Sequence, residues 1–318
     1  MPIKENVLIR AGECAVTILP QFGGKIASIR IKGRELLQTA LAPLAERTRD
    51  MAFAEGDAGG WDECLPTVAP CTVETPGGVV NVPDHGDVWR VAWEPVDGNG
   101  SQATLRAKCF SLPLELERSL KLSESGDNWR LQLNYILTNR GRMAVQWSWS
   151  AHPLFAVDTG DTIQLPGSIK TLTVEGSAGE RLGSAGASVD WPVAKLAGGG
   201  SVDLRVAGQA ASGIGDKLFT RLLKPQENWC VVQRPKAGLR MRMSFDTAAT
   251  PYLGLWLCYG GWPEGPGAKQ MCVAPEPCTA PADSLAKTGP WTRVLAPGES
   301  NRWSVCVDFE VIQGETHA

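Results

Sequence analysis

No long helical stripe of apolar residues runs through this chain. Its apolar segments are short and punctuated by recurrent glycine (35) and proline (22), a rhythm that suits many strands joined by turns and not a helical bundle. Residues 16–19, the turn Pro20-Gln21-Phe22-Gly23-Gly24 and residues 25–31 predict an opening hairpin, with the glycine pair supplying the positive φ that the turn needs. Further strands are predicted at 89–94, 103–110, 114–122, 129–138, 230–233, 239–245, 253–259, 270–274 and 302–309. Residues 176–186 and 198–201 predict loops at one rim. Composition does not shift along the chain, so the expectation is one all-β domain over 1–318, a large antiparallel sandwich.

One stretch alternates without a break and ends on an ionisable group. In Val145-Gln146-Trp147-Ser148-Trp149-Ser150-Ala151-His152-Pro153, the odd-numbered residues up to Ala151 form an apolar face, and Gln146, Ser148, Ser150 and His152 form a polar one. Pro153 keeps His152 extended, so its imidazole stays on the polar face. Such a face serves either as the floor of a polar ligand site or as an ordinary solvent-facing side.

Residues 36–83 lose the alternation. They hold Arg47, Arg49, Asp57 and the cluster Gly59-Gly60-Trp61-Asp62-Glu63, and a long irregular stretch in a compact protein tends to carry function. Trp61 is therefore expected as an apolar platform on a pocket wall, with Asp62 as a hydroxyl acceptor. Twelve tryptophans against three tyrosines suit stacking on the C–H face of a sugar, although most belong to a core.

The remaining chemistry is sparse. Of three histidines, His317 sits next to the end, where order is not expected. His85 lies in Val82-Pro83-Asp84-His85-Gly86-Asp87, where Gly86 permits close backbone approach and either aspartate could fix the imidazole tautomer. Glu276 is clamped in Ala274-Pro275-Glu276-Pro277-Cys278 by prolines that fix φ on either side. Each of the three has a plain alternative as a turn, loop or surface residue, and spacing alone does not bring them together.

Nine cysteines, odd in number and without a CxxC pair, predict reduced thiols in the cytoplasm and argue against a disulfide framework or zinc site. The N-terminus lacks a basic segment followed by an apolar one, and no apolar run nears the ~20 residues of a membrane span. A net charge of −3 gives no support to nucleic acid or an acidic membrane as partner.

Pro83-Asp84-His85-Gly86, Ala151-His152-Pro153-Leu154-Phe155 and Ala274-Pro275-Glu276-Pro277-Cys278-Thr279 occur in the order and context seen in aldose 1-epimerase-like proteins. The opening Gly23-Gly24 hairpin and the closing Leu295-Ala296-Pro297-Gly298-Glu299 with Trp303 also resemble that galactose mutarotase superfamily. The resemblance implies a β-supersandwich whose concave face binds a small-molecule sugar with no cofactor and no metal. It implies His152 as the acid at the ring oxygen, Glu276 as the base at the anomeric hydroxyl and His85 as a donor that orients the sugar. Asp216, in Ile214-Gly215-Asp216-Lys217-Leu218-Phe219, is similar to a sugar-binding aspartate. Where relatives acting on free sugars or hexose 6-phosphates often carry an arginine, this chain has Ala58-Gly59-Gly60-Trp61, which disfavours a phosphorylated substrate unless Arg47, Arg49 or Arg90 supplies a cation. Two other classes fit the same residues: a non-catalytic sugar binder on the same scaffold, and a two-histidine, one-carboxylate metal site. The second is disfavoured because such sites usually place two ligands close along one strand.

Overall fold

The computed structural model describes residues 6–312, so His317 lies outside the described residues. Two antiparallel sheets carry the architecture. The larger, of twelve strands, runs in the order Val7–Ala11, Cys14–Leu19, Lys25–Ile31, Trp61–Cys64, Ser150–Pro153, Met271–Cys278, Tyr252–Tyr259, Ile214–Phe219, Thr171–Ser177 and Ser188–Asp190, with two short strands off this path. The smaller, of eight, runs Thr162–Gln164, Trp229–Arg234, Leu239–Phe245, Ser300–Val311, Asn128–Asn139, Leu114–Ser125, Gln102–Lys108 and Glu94–Asn99. The middle of the larger sheet thus gathers segments far apart in sequence. One apolar cluster, drawing on both sheets, fills the space between them.

The two-residue side-chain period decides what each strand presents to that core. Trp61, Ala151, Leu218, Leu253, Leu255, Leu257 and Val273 point inward and belong to the core cluster. Their neighbours Asp62, His152, Lys217, Gly254, Trp256, Ala274 and Glu276 fall on the opposite face of the same strands.

The alternating stretch at 145–152 is not one strand. Val145–Trp147 pairs with Arg293–Leu295 in a separate ribbon, and Ser150–Pro153 enters the large sheet. The division of faces nevertheless holds across the break: Val145, Trp147, Trp149 and Ala151 all join the core, while Ser148 bonds Thr279 and Ser150 bonds Glu276. Two other expectations are corrected. Residues 88–90 form a single 3-10 turn where a strand was predicted. The irregular segment 36–83 contains the strand Trp61–Cys64 and a hairpin of Cys71–Thr75 with Gly78–Val82. The loops expected at 176–186 and 198–201 are present: beyond the end of Thr171–Ser177, residues 178–186 form a short 3-10 turn and loop, and 198–200 form the turn before Ser201–Asp203. Short strands framed by glycine leave too few periods for alternation to register.

One polar network crosses the core. Glu63, wholly buried, accepts from Arg118 Nη1 at 2.9 Å and from the Tyr135 hydroxyl at 2.9 Å on one oxygen, and from Trp149 Nε1 at 3.0 Å on the other. Arg118 also donates to the carbonyl of Gly24 and packs over the Trp93 ring. Burial raises the Glu63 carboxyl above its ordinary range, with Arg118 acting against it. A charge this deep is tolerable only while its partner is present. Arg118→Met should therefore cost about 3–5 kcal/mol in denaturant-induced unfolding, and a loss below about 1 kcal/mol would show that the network is not needed to join the sheets.

Candidate functional site

A cavity of about 210 Å³ opens over the middle of the large sheet, on the face turned away from the smaller one, and His85, His152, Lys217 and Glu276 line it. Three lines of local chemistry place them. His152 sits in Ser150–Pro153, on the same face as Ser150. Glu276 sits in Met271–Cys278 between prolines that lack N–H donors, and only the pair Ser150–Cys278 joins this strand to Ser150–Pro153. The missing donors thus coincide with a gap in the ladder beside Glu276.

His85 adopts φ +57°, a left-handed conformation that costs a non-glycine residue about 1–3 kcal/mol. The loop is held in that shape from behind. The His85 amide donates to Val68 O at 2.5 Å and the Asp87 amide to Leu65 O at 2.6 Å, and Arg90 donates to the carbonyls of Asp84 and Gly86. Gly86 cannot be replaced here, because a Cβ would lie 2.1 Å from Leu65 O.

The groups meet closely. His152 Nε2 lies 3.9 Å from Glu276 Oε1, and the two imidazole centroids are 5.4 Å apart with their planes at 89°. Phe53 stacks flat on His85, with centroids 3.8 Å apart, and sets its edge against His152 at 5.5 Å. His85 Nδ1 is 3.0 Å from Asp84 Oδ1, so Asp84 is the aspartate beside the ring, whereas Asp87 accepts from Ser111 and Phe110. Trp256 and Trp262 complete an aromatic wall, with Gln270 accepting from Trp256 Nε1 at 3.0 Å.

Burial dominates the electrostatics. It raises the Glu276 carboxyl above its ordinary range, and Lys217 pulls against it. It pushes His152 well below the ordinary imidazole range, helped by the nearby His85 and Lys217. Lys217, by contrast, is raised: Asp283 and Glu276 together outweigh its desolvation. The Asp84 carboxyl is lowered, its burial outweighed by His85. Glu276 Oε1 and His152 Nδ1 are both buried without a protein partner.

Three expected residues do not line the cavity. Trp61 points into the core, where it packs against Phe155. Asp62 lies opposite His152 across the strand pair, but its carboxylate takes Lys25 Nζ at 2.5 Å and does not line the cavity. Asp216 is fully buried on the other face from Lys217, accepting from Ser177 Oγ at 2.7 Å and from Arg181. The likeness thus pointed to the right strand but to the residue one pleat away. Lys217, Phe53, Gln270 and Asp283 lie outside the expected set; for Lys217 the available signal was its place beside Asp216. Among the described residues no group of three or more His, Cys, Asp or Glu side chains is arranged to hold a metal ion, and Glu276 Oε2 is already taken by the Lys217 ammonium.

An all-β double sheet with a buried carboxylate and two imidazoles over its middle has the galactose mutarotase-like fold. Solved structures agree along nearly the whole length. The chain is similar to a galactose mutarotase related enzyme from Lactobacillus acidophilus (TM-score 0.68, 14% identity, 98% of this chain and 99% of that one). It is also similar to a galactose mutarotase-like protein from Clostridium acetobutylicum (TM-score 0.63, 14% identity, 96% and 95%). An aldose epimerase homologue from C. elegans gives a TM-score of 0.64 at 12% identity over 97% and 99%. No family model and no curated protein sequence matches the chain, so the likeness rests on fold. No helix among the described residues is long and apolar enough to cross a membrane.

The depressed His152 has a measurable signature. At about pH 6.5, the ordinary imidazole midpoint, its ring nitrogens should give the neutral pattern by NMR, and His152→Phe should remove part of the stability lost below that pH. The sign follows because the unfolded chain takes up a proton that native His152 refuses, so folding is penalised only below the unfolded midpoint. A His152 titration at or above about 6.5 would contradict a buried neutral ring.

Proposed function

We propose that this protein is an aldose 1-epimerase-like enzyme that interconverts the α and β anomers of a sugar by opening and reclosing its ring. The observation that carries this reading is the meeting of Glu276, His152 and His85 over one aromatic-walled cavity. Glu276 Oε1 takes the proton of the anomeric hydroxyl as the bond from C1 to the ring oxygen breaks. His152 enters this step as the imidazolium and delivers its proton to that oxygen, the C1–C2 bond rotates, and closure on the other face reverses both transfers. His85, backed by Asp84 and stacked on Phe53, orients the sugar.

Reversal of roles suits the electrostatics. Burial destabilises both the carboxylate and the imidazolium, so Glu276 binds a proton more tightly and His152 less tightly than usual. The two proton affinities draw together, and each group can serve as acid in one half of the reaction and base in the other.

The cavity also favours an uncharged sugar. Asp84, Glu276 and Asp283 line it against the single cation Lys217, which two of them share. The three arginines that might have bound a phosphate are directed elsewhere: Arg47 to Asp57, Arg90 to backbone carbonyls and Arg49 over the Phe110 ring. Nine unpaired cysteines support a reducing compartment, in keeping with a cytoplasmic enzyme, and the shared core of both sheets supports a single domain.

Anomer exchange followed by NMR over a panel of sugars tests this. Neutral aldoses should exchange and their 6-phosphates should not. Glu276→Gln should lower kcat by about 10²–10⁴-fold while leaving sugar binding largely intact, since the amide keeps the shape but cannot accept the proton. His152→Ala should weaken both turnover and binding. Equal rates for wild type and Glu276→Gln at saturating sugar would instead support a non-catalytic sugar binder.

A further inference from the structure

Glu276 does not stand alone on its face of the sheet. Its Oε2 accepts from the Lys217 ammonium and from Ser150 Oγ at 3.2 Å, while its Oε1 has no protein partner and faces His152. Lys217 is itself buried and lies 3.4 Å from Asp283 Oδ1, with its ammonium over the Phe219 ring.

Lys217 reaches Glu276 by crossing a whole strand. Lys217 pairs with Trp256, and Glu276 with Gly254, on opposite sides of Tyr252–Tyr259. The lane between them is open because residue 254 has no side chain. A Cβ there would stand 3.4 Å from Glu276 Oε2 and 3.1 Å from the Phe219 ring, so the backbone itself leaves room for this contact.

We propose that Lys217 is a positioning residue for Glu276: its ammonium engages Oε2 and holds the carboxylate charged, so that Oε1 alone is presented to the substrate. Asp283 competes for the same ammonium and so moderates the support that Glu276 receives. This rests on the reading of Glu276 as the base, and it adds a residue to that machinery. The groups facing Glu276 are Lys217 and Asp283, the imidazoles of His85 and His152, and the thiols of Cys64, Cys272 and Cys278. Lys217 and the two imidazoles are the basic groups among them, and burial lowers the proton affinity of His152. Lys217 is thus the cation that stays charged across the working range.

The two partners of this ammonium give opposite predictions. Titration of the Glu276 side-chain carboxyl by ¹³C NMR, assigned by its disappearance in Glu276→Gln, reads the effect without any substrate. Lys217→Met should move the midpoint up by at least about one pH unit, the low end of what an opposite charge within about 4–6 Å supplies. Asp283→Asn should move it down, and Lys217→Arg should keep it near the wild-type value. In the pH profile of kcat, once a substrate is found, the acid limb should follow the same order. A merely structural lysine would lower rates at every pH without moving the limb. If Lys217→Met fails to fold, Asp283→Asn and Lys217→Arg still decide: a midpoint unmoved in Asp283→Asn or lost in Lys217→Arg overturns the proposal. Absence of exchange on every sugar, with the carboxyl shifts as stated, would instead remove the enzymatic reading and leave the ion-pair assignment standing.

Discussion

A strand in the middle of a large sheet, covered on one face by a second sheet and on the other by loops, has no solvent to fall back on. Every ionisable side chain it carries needs a partner inside the protein, because an uncompensated buried charge costs several kcal/mol. Four carboxylates of the central strands meet this constraint in different ways. Glu63 and Asp216 satisfy both oxygens, the first through Arg118, Tyr135 and Trp149, the second through Arg181 and Ser177. Asp62 is tied to Lys25, away from the cavity. Glu276 is the one of these four that lines the cavity, and its Oε1 has no protein partner. That difference separates a carboxylate held for structure from one free to exchange a proton.

How much of this could be seen in the residues differs from one element to the next. The alternation at 145–152 fixed which side chains face the core even though the chain changes sheets at Ser148, because the pleat's period continues through an extended break. Glu276 was visible from its two prolines, which restrict the backbone whatever the tertiary context. Trp61 misled for a physical reason: glycines before it suggest a loop, but the tertiary structure draws Trp61–Cys64 into the sheet and turns the indole inward. Lys217 was invisible because its meaning depends on Gly254 and Glu276, which neighbour it only across strands. Pairings of that kind are long-range, and local pattern carries no trace of them.

Strain at the site points the same way. His85 is the cavity residue held at positive φ, and it is bracketed by hydrogen bonds from 65–68 and by the Arg90 guanidinium. Residues kept in unfavourable backbone regions persist only where their surroundings over-determine them. Here those surroundings place the imidazole flat against Phe53 and at right angles to His152. A looser loop would leave the ring mobile and forfeit the advantage of fixed geometry, since orientation is paid for during folding and not at each turnover.

At 12–16% identity to the solved structures of its fold, little of the core can be shared residue by residue. Cores tolerate such replacement so long as volume and pattern are kept, and a common fold by itself says nothing about chemistry. This chain's own residues meet a problem that the scaffold poses to the proposed base: it must be buried enough to be strong, yet charged enough to accept a proton. Desolvation alone would protonate Glu276, and a cation in full contact with both oxygens would quench it. Lys217 on one oxygen, itself shared with Asp283, holds the carboxylate between those limits. On the neighbouring strand the same physics acts on His152, where burial, with His85 and Lys217 nearby, makes an imidazolium a stronger acid. The proposed ring opening asks for that balance in both directions.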